Sequence, residues 1–507
     1  MKCASRGLDC PGFKTVYLKW DQGIASRGRL AGKSTPIIKG ADKRMRNLSS
    51  KERNQCKVKD PSRGVRIRDR ISGTSDDEQV QTTSIQIAPT AASPMLNPAF
   101  YHVEATHVVD PFLQSSIFSS LINHFCTKAV SRLTWIDQPR HPLRTIVRQL
   151  LQKSKAVRFS VGCLAAAHMS MVPNIPGNQA SALFHIYASL RDESMRTLSA
   201  KMRRGLPGRS PETSSASDSP VVIELLATML VLCYAEVLVP GSKDWRLHLR
   251  GCRTIRDLHP LQDWFKESKD PVIRFLLKEI SDLEMLTGIS MFHQDFTPIR
   301  VSPLPSSTDS GWAFTKLIYA ITELERERYY IVQAGNTLPS IDMSVWCRRA
   351  EEAHNRSLAC MDCLCESQQG LRDCFEAVSR AHYFATIIYA YQAFKTPAEK
   401  ALAVPELLEP LLADIRFVMA GPTDELFHDL FFPLFIAGIE CVYDPLRRSE
   451  IDGFFIESLS RTGVWCNHSA LQFLRSFWSV TSTSEHTVNW MDFARANLSS
   501  MEAFIVF

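Results

Sequence analysis

The chain has 507 residues, enough for about three domains or for one large domain with tails. Hydrophobic residues make up 45% and charged residues 22%, which excludes a chain disordered throughout, a fibrous repeat and a small disulfide-stapled scaffold. The net charge of +6 is unevenly spread: residues 1–70 hold 19 Lys/Arg against 6 Asp/Glu, and the other 437 residues hold 40 against 47. A basic arm on a slightly acidic globule points to a polyanion partner for the arm, with a solvated basic tail as the plainer alternative.

Four zones follow along the chain. Residues 1–35 are basic and carry Gly, aromatic residues and two cysteines. The opening MKCASRGLDCPGFK lacks the apolar run of a secretory signal. Residues 36–70 stay basic, and 71–99 turn to Ser, Thr, Gln, Ala and Pro, the composition of a linker. Three domains are expected: 1–35, a linker over 36–100, and a helical domain over 101–507.

From Tyr101 onward the pattern predicts helices. In HPLRTIVRQLLQKS, Leu143, Ile146, Val147, Leu150 and Leu151 fall on one face, with Pro142 suited to a first helical turn. Leu183, Ile186, Tyr187 and Leu190 repeat the spacing. Residues 203–220, RRGLPGRSPETSSASDSP, read as a loop between helices. Residues 221–239, VVIELLATMLVLCYAEVLV, have the length of a membrane span, but Glu224 and Glu236 would be costly in lipid, so a buried core helix is expected. Helical stretches follow at 270–288, 314–333, 345–367, 375–394, 404–420, 424–443 and 467–480. No period-2 run bounded by hairpin turns stands out. The fold class is all-α: a large helical domain, α-solenoid-like or an irregular bundle, behind a basic, largely disordered N-terminal arm.

Motifs of catalysis are absent. GRLAGKST at 28–35 has Gly28 and Gly32 at the wrong spacing for a phosphate-binding loop, and no G-x-S-x-G, H-E-x-x-H or G-x-G-x-x-G occurs. An enzyme is unsupported. Glu323 with Arg326, and Glu325 with Arg328, read as ion pairs on a solvated helix face. Cys360, Cys363, Cys365 and Cys374 are the densest cysteine group, with His354 and His382 at helical distances. Buried thiols are preferred to a metal site there, because a second ligand pair is missing. Cys126, Cys163, Cys233, Cys252, Cys441 and Cys466 sit singly in apolar patterns and fit free thiols in a reducing compartment.

The first 33 residues carry a resemblance. Cys3 and Cys10, with six residues between them, then Gly12 and Phe13, resemble the fifth and sixth cysteines and the trailing Gly-aromatic of a fungal six-cysteine binuclear zinc cluster. Leu18–Trp20 and Ala25–Gly28 are similar to its C-terminal flank in one branch. Further on, Ala166–Ala167–His168, then Trp245, His248, Leu249 and Gly251, then Pro433, Phe435, Ala437 and Gly438, resemble successive blocks of the fungal-specific transcription factor regulatory domain. The branch also resembles the acriflavine sensitivity control-like regulators.

The resemblance implies a nuclear fungal transcription regulator of a secondary-metabolite gene cluster or of a drug or metabolite response. DNA, the transcription machinery and a homodimer or paralogue heterodimer are the implied partners, and no membrane. The implied cofactor is zinc, with Cys3 and Cys10 as ligands. The implied DNA contacts come from Lys14, Lys19, Arg27, Arg29, Lys33, Lys43, Arg44 and Arg46. One departure stands out: Met1 lies two residues before the fifth cysteine, so four of six ligands are absent. Two thiolates cannot close a tetrahedral site, so zinc is doubtful in this chain. Either an upstream exon has been lost, the favoured reading, or the chain is a truncated, non-DNA-binding protein that dimerises with and modulates a full-length regulator.

Overall fold

The computed structural model describes residues 18–19, 37–38, 115–135, 141–172, 175–205, 219–257, 270–292, 313–364, 369–481, 488–498 and 504. The chain divides into two units, Met1–Met95 and Leu96–Phe507. In the first, β1 (Leu18–Lys19) pairs antiparallel with β2 (Ile37–Ile38), Leu18 opposite Ile38 and Lys19 opposite Ile37. Two residues per strand leave no alternating pattern, which is why the sequence did not announce it. The disorder expected of the remaining arm falls on residues outside those described.

The second unit is all-α. Its first helices are α1 (Ser116–His124), α2 (Pro142–Lys153), α3 (Lys155–Met171) and α4 (Gly177–Gly205). A π-helical turn, Phe125–Ala129, extends α1. Pro142 occupies the first turn of α2 as expected, and the His141 ring caps it by accepting the Leu143 N–H at 3.2 Å. The predicted face is the buried one: Leu143, Ile146, Val147 and Leu151 are in the core, and Leu150 is at its margin. Ser154 ends α2 and caps α3, accepting from Val157 N–H at 3.1 Å. Gly162 lets α3 lie close to its neighbours, because a Cβ there would meet Phe118 at 3.0 Å and Leu190 at 3.1 Å.

Helix α5 (Ser219–Val237) is the apolar helix, and the window Pro220–Val237 is long and apolar enough to cross a membrane. In the structure 78% of that window is buried, against α3, α4, α6 (Trp245–Arg256) and α7 (Pro271–Gly288). Its two carboxylates are explained by partners within the fold. Glu236 is 1% exposed and accepts from Tyr187 Oη at 2.8 Å, from Arg191 at 3.3 Å and from Ser242. Glu224 accepts from Ser154 and Lys201. A buried carboxylate without such partners would cost several kcal/mol.

The second half comprises α8 (Ala313–Gln333), α9 (Met343–Ala359), α10 (Gln369–Phe394), α11 (Pro397–Met419), α12 (Phe431–Glu440), α13 (Pro445–Thr462), α14 (His468–Thr481) and α15 (Trp490–Ala496). Helix α10 is central, packing against α8, α9, α11 and α12. Helix α12 is buried along nearly its whole length. Phe435 and Phe473 meet Trp490 edge-on, with ring centroids 5.3 and 5.9 Å apart, a favourable aromatic geometry.

One expectation is corrected here. Glu325 and Arg326 are not on a solvated face: they are 6% and 4% exposed. Glu325 pairs with the adjacent Arg326 and with Arg495 on α15 at 2.5 Å. Arg326 donates to the carbonyls of Ile289 and Met291 at 3.0 and 3.3 Å and lies over the Phe292 ring. Glu323 accepts from Tyr319 at 2.6 Å, and Arg328 donates to the Pro339 carbonyl at 2.9 Å. The local i, i+3 pairs are replaced by contacts to distant chain, because this polar stretch clamps the end of α7 to α15.

Candidate regulatory site

A cavity of about 380 Å³ opens between α11, the turn from α12 into α13, and the start of α15. Its apolar wall comes from Val404, Leu408, Ile439, Phe477, Val488 and Trp490, and its polar groups from Gln392, Lys400, Glu409, Glu440, Asn489 and Arg447.

Capping chemistry sets each wall. Thr396 and Glu399 form a reciprocal box at the start of α11, with Pro397 at its first position. Asp444 caps α13, accepting from Leu446 and Arg447 N–H at 3.0 and 3.1 Å, and the turn this fixes directs Arg447 onto Glu409 at 2.6 Å. Asn489 caps α15 and also donates to the Gln392 carbonyl at 3.3 Å. Pro405 and Pro410 stand inside α11. Proline has no N–H, so the carbonyl of Ala401, which lines the cavity with Pro405, loses its α-helical donor.

A chain of side-chain hydrogen bonds underlies the cavity. Trp490 Nε1 donates to Gln392 Oε1 at 2.8 Å, and Gln392 Nε2 donates to Glu440 Oε1 at 2.6 Å. Both ends of the Gln392 amide are therefore fixed, and Glu440 is aimed by it. Burial raises the Glu440 carboxyl above the ordinary carboxylate range, while the Gln392 bond and the Lys400 charge hold it down. Among the described residues no hydrogen bond reaches Glu440 Oε2, and Lys400 has no ion-pair partner. The site can take an apolar body, offer it a carboxyl, and present an ammonium to it.

Sequence reasoning did not single out Gln392, Lys400 or Glu440. The available signals were a lone Glu in the apolar run FFPLFIAGIECVY and two prolines inside a helical pattern. Of the residues it did name, Cys3, Cys10, Lys14, Arg27, Arg29, Lys33, Lys43, Arg44 and Arg46 lie outside the described residues, and Lys19 is described only as part of β1.

The cysteine group is partly described. Cys360 ends α9 and Cys374 is buried in α10, while Cys365 lies outside the described residues. The two histidines bind elsewhere: His354 meets Ser379 Oγ at 2.9 Å, and His382 Nε2 donates to the Asp429 carbonyl at 2.7 Å. Among the described residues no three His, Cys, Asp or Glu side chains converge as metal ligands do. Of the six single cysteines expected to be buried free thiols, Cys163, Cys233, Cys252 and Cys441 are buried and free, and burial raises each above the usual thiol value, whereas Cys126 and Cys466 are free but half-buried.

The blocks that carried the resemblance are packing and orienting positions. His168, at the end of Ala166–Ala167–His168, shares a hydrogen bond of 2.8 Å with His124. Gly438 accepts the Trp478 indole N–H on its carbonyl at 2.8 Å, and a Cβ there would fall 2.7 Å from Leu474.

No curated protein and no solved structure matches the chain. The model of the fungal specific transcription factor domain matches residues 120–501, three quarters of the chain and nearly all of the helical unit. Its coverage from within α1 to α15 places the chain in the fungal specific transcription factor domain family.

Proposed function

We propose that the protein is a nuclear, non-enzymatic transcription regulator of a small gene set, either a secondary-metabolite cluster or a drug or metabolite response. The observation that carries this reading is the family match over 120–501. The acriflavine sensitivity control-like branch is the finer reading and rests on the residues at 18–28. Deleting the gene should change the transcripts of a few genes, its chromosomal neighbours first. An unchanged transcriptome, under conditions in which the protein is made, would count against the regulator reading.

The arm is proposed to contact DNA through phosphate. Lys14, Lys19, Arg27, Arg29, Lys33, Lys43, Arg44 and Arg46 can neutralise several phosphates together. If about six engage, raising salt from about 50 to 200 mM should weaken binding roughly a thousandfold. Sequence preference should be small, since phosphate contacts position a protein on the duplex without reading its bases. A gel shift comparing a CGG-containing duplex with its scrambled version, at both salts, measures each term. Strong preference for one sequence would show that the chain reads bases by itself. Dimerisation with a full-length paralogue is the second proposed mode.

A further inference from the structure

We infer that the cavity beneath α11 is a binding site for a small aromatic acid that also carries one N–H or O–H donor. The inference rests on the regulatory reading for its purpose and on the geometry for its chemistry.

Each part of the ligand answers a feature of the site. The volume of about 380 Å³ is that of a small ligand pocket and holds a body of roughly two or three rings. Trp490 and Phe477 are 1% exposed, and Ile439 and Val404 nearly as buried, so the walls are apolar and fixed. The donor is set by Glu440, whose Oε1 is occupied by Gln392 while Oε2 has no hydrogen bond among the described residues. The acid is set by Lys400, which lines the cavity, forms no ion pair within 4 Å among the described residues, and carries the positive charge that favours the Glu440 carboxylate. Arg447, by contrast, is already held by Glu409 and Asp444 at 2.6 and 3.2 Å. A purely apolar occupant would cover Glu440 Oε2 without giving it a partner, which costs free energy. A peptide would need a longer trough; Tyr443 at the cavity, Leu402 on α11 and Leu446 on α13 are exposed and set the alternative that a protein segment covers this surface.

The test uses the full chain and 8-anilino-1-naphthalenesulfonate, which combines two aromatic systems, an N–H and an acid. Fluorescence titration should show one saturable site per chain. Lys400→Glu reverses the charge at a half-exposed position and should weaken binding about tenfold or more, whereas Lys400→Arg should retain it. Leu408→Trp should abolish binding by filling the cavity, and Glu440→Gln should weaken it several-fold. Leu402→Ala, at an exposed position of α11 outside the cavity lining, should leave binding unchanged. Far-UV CD and the melting temperature identify any variant that fails to fold, and the two Lys400 variants then carry the test. Equal affinity in the parent, Lys400→Glu and Leu408→Trp would overturn the inference, as would many equivalent sites. Loss of binding in Leu402→Ala as well would place the dye on the exposed apolar surface and overturn the inference. A titration that fails while gene deletion still changes transcripts refutes the ligand site alone. A specific titration with an unchanged transcriptome refutes the regulator reading alone.

Discussion

Histidine protonation is where single residues govern the behaviour of the fold. Burial holds His124, His248 and His428 down to about 4, and His168 and His382 to about 3. In the unfolded chain an imidazole titrates near 6.5. Between about pH 6.5 and 4 the unfolded chain therefore takes up protons that the fold refuses, and stability falls as pH falls. Each such imidazole contributes up to about 1.4 kcal/mol per pH unit in that window. Asp429 works in the opposite sense, because burial raises its carboxyl well above the ordinary value. One imidazole can be isolated by His382→Gln, whose amide can still donate to the Asp429 carbonyl. Urea midpoints at pH 7.5 and 5.5 should differ less in this variant than in the parent, and an identical pH dependence would refute the assignment. None of this was legible in the sequence, where His168 and His248 stood out only as family blocks. The same holds for Glu325: its partner Arg495 is 170 positions away, and nothing local distinguishes a clamped carboxylate from a solvated one.

Helices were legible where one face alone is buried. The stripes at 143–151 and 183–190 emerged because a 3.6-residue period leaves a readable face. Caps were legible where proline marked a first turn, as at Pro142. The cavity was not, because it is assembled from α10, α11, the α12–α13 turn and α15, and each contributes residues that are ordinary in their own helix. Helix α12, apolar all round, reveals its burial but not its neighbours. There the contact distance decides. Leu474 is fully buried, so it cannot yield to a Cβ placed 2.7 Å away at Gly438. Gly438→Ala should destabilise the domain by about 1–3 kcal/mol. In a Leu474→Ala background the same change should cost clearly less, since the clash is gone. Additive costs in the double variant, read by chemical denaturation, would show that α14 is not what confines Gly438.

On the scale of the molecule, the helical unit is expected to stand alone. Residues 96–507, expressed without the arm, should give a helix-dominated far-UV CD spectrum. Limited proteolysis of the full chain should cut first within 36–99 and between α4 and α5, where composition favours accessible backbone; the loop expected over 203–220 is helical at both ends. Early cleavage inside α10 or α12 would contradict the central place given to those helices. The family blocks, being packing residues, made the fold readable across this distance.

The burial of α5 also has a consequence for the order of synthesis. Its cradle is built from both sides of the sequence: α3 and α4 leave the ribosome before it, α6 and α7 after it. The earlier pair packs against itself in the finished fold, and Tyr187, Arg191 and Lys201, the partners of Glu236 and Glu224, lie on it. A nascent chain that has made α1 to α4 thus presents a receptor for its own most lipid-like segment. A chain that starts at residue 206 presents none. Translated with microsomes, the shortened chain should be captured by the membrane, while the chain that retains α1 to α4 should escape it.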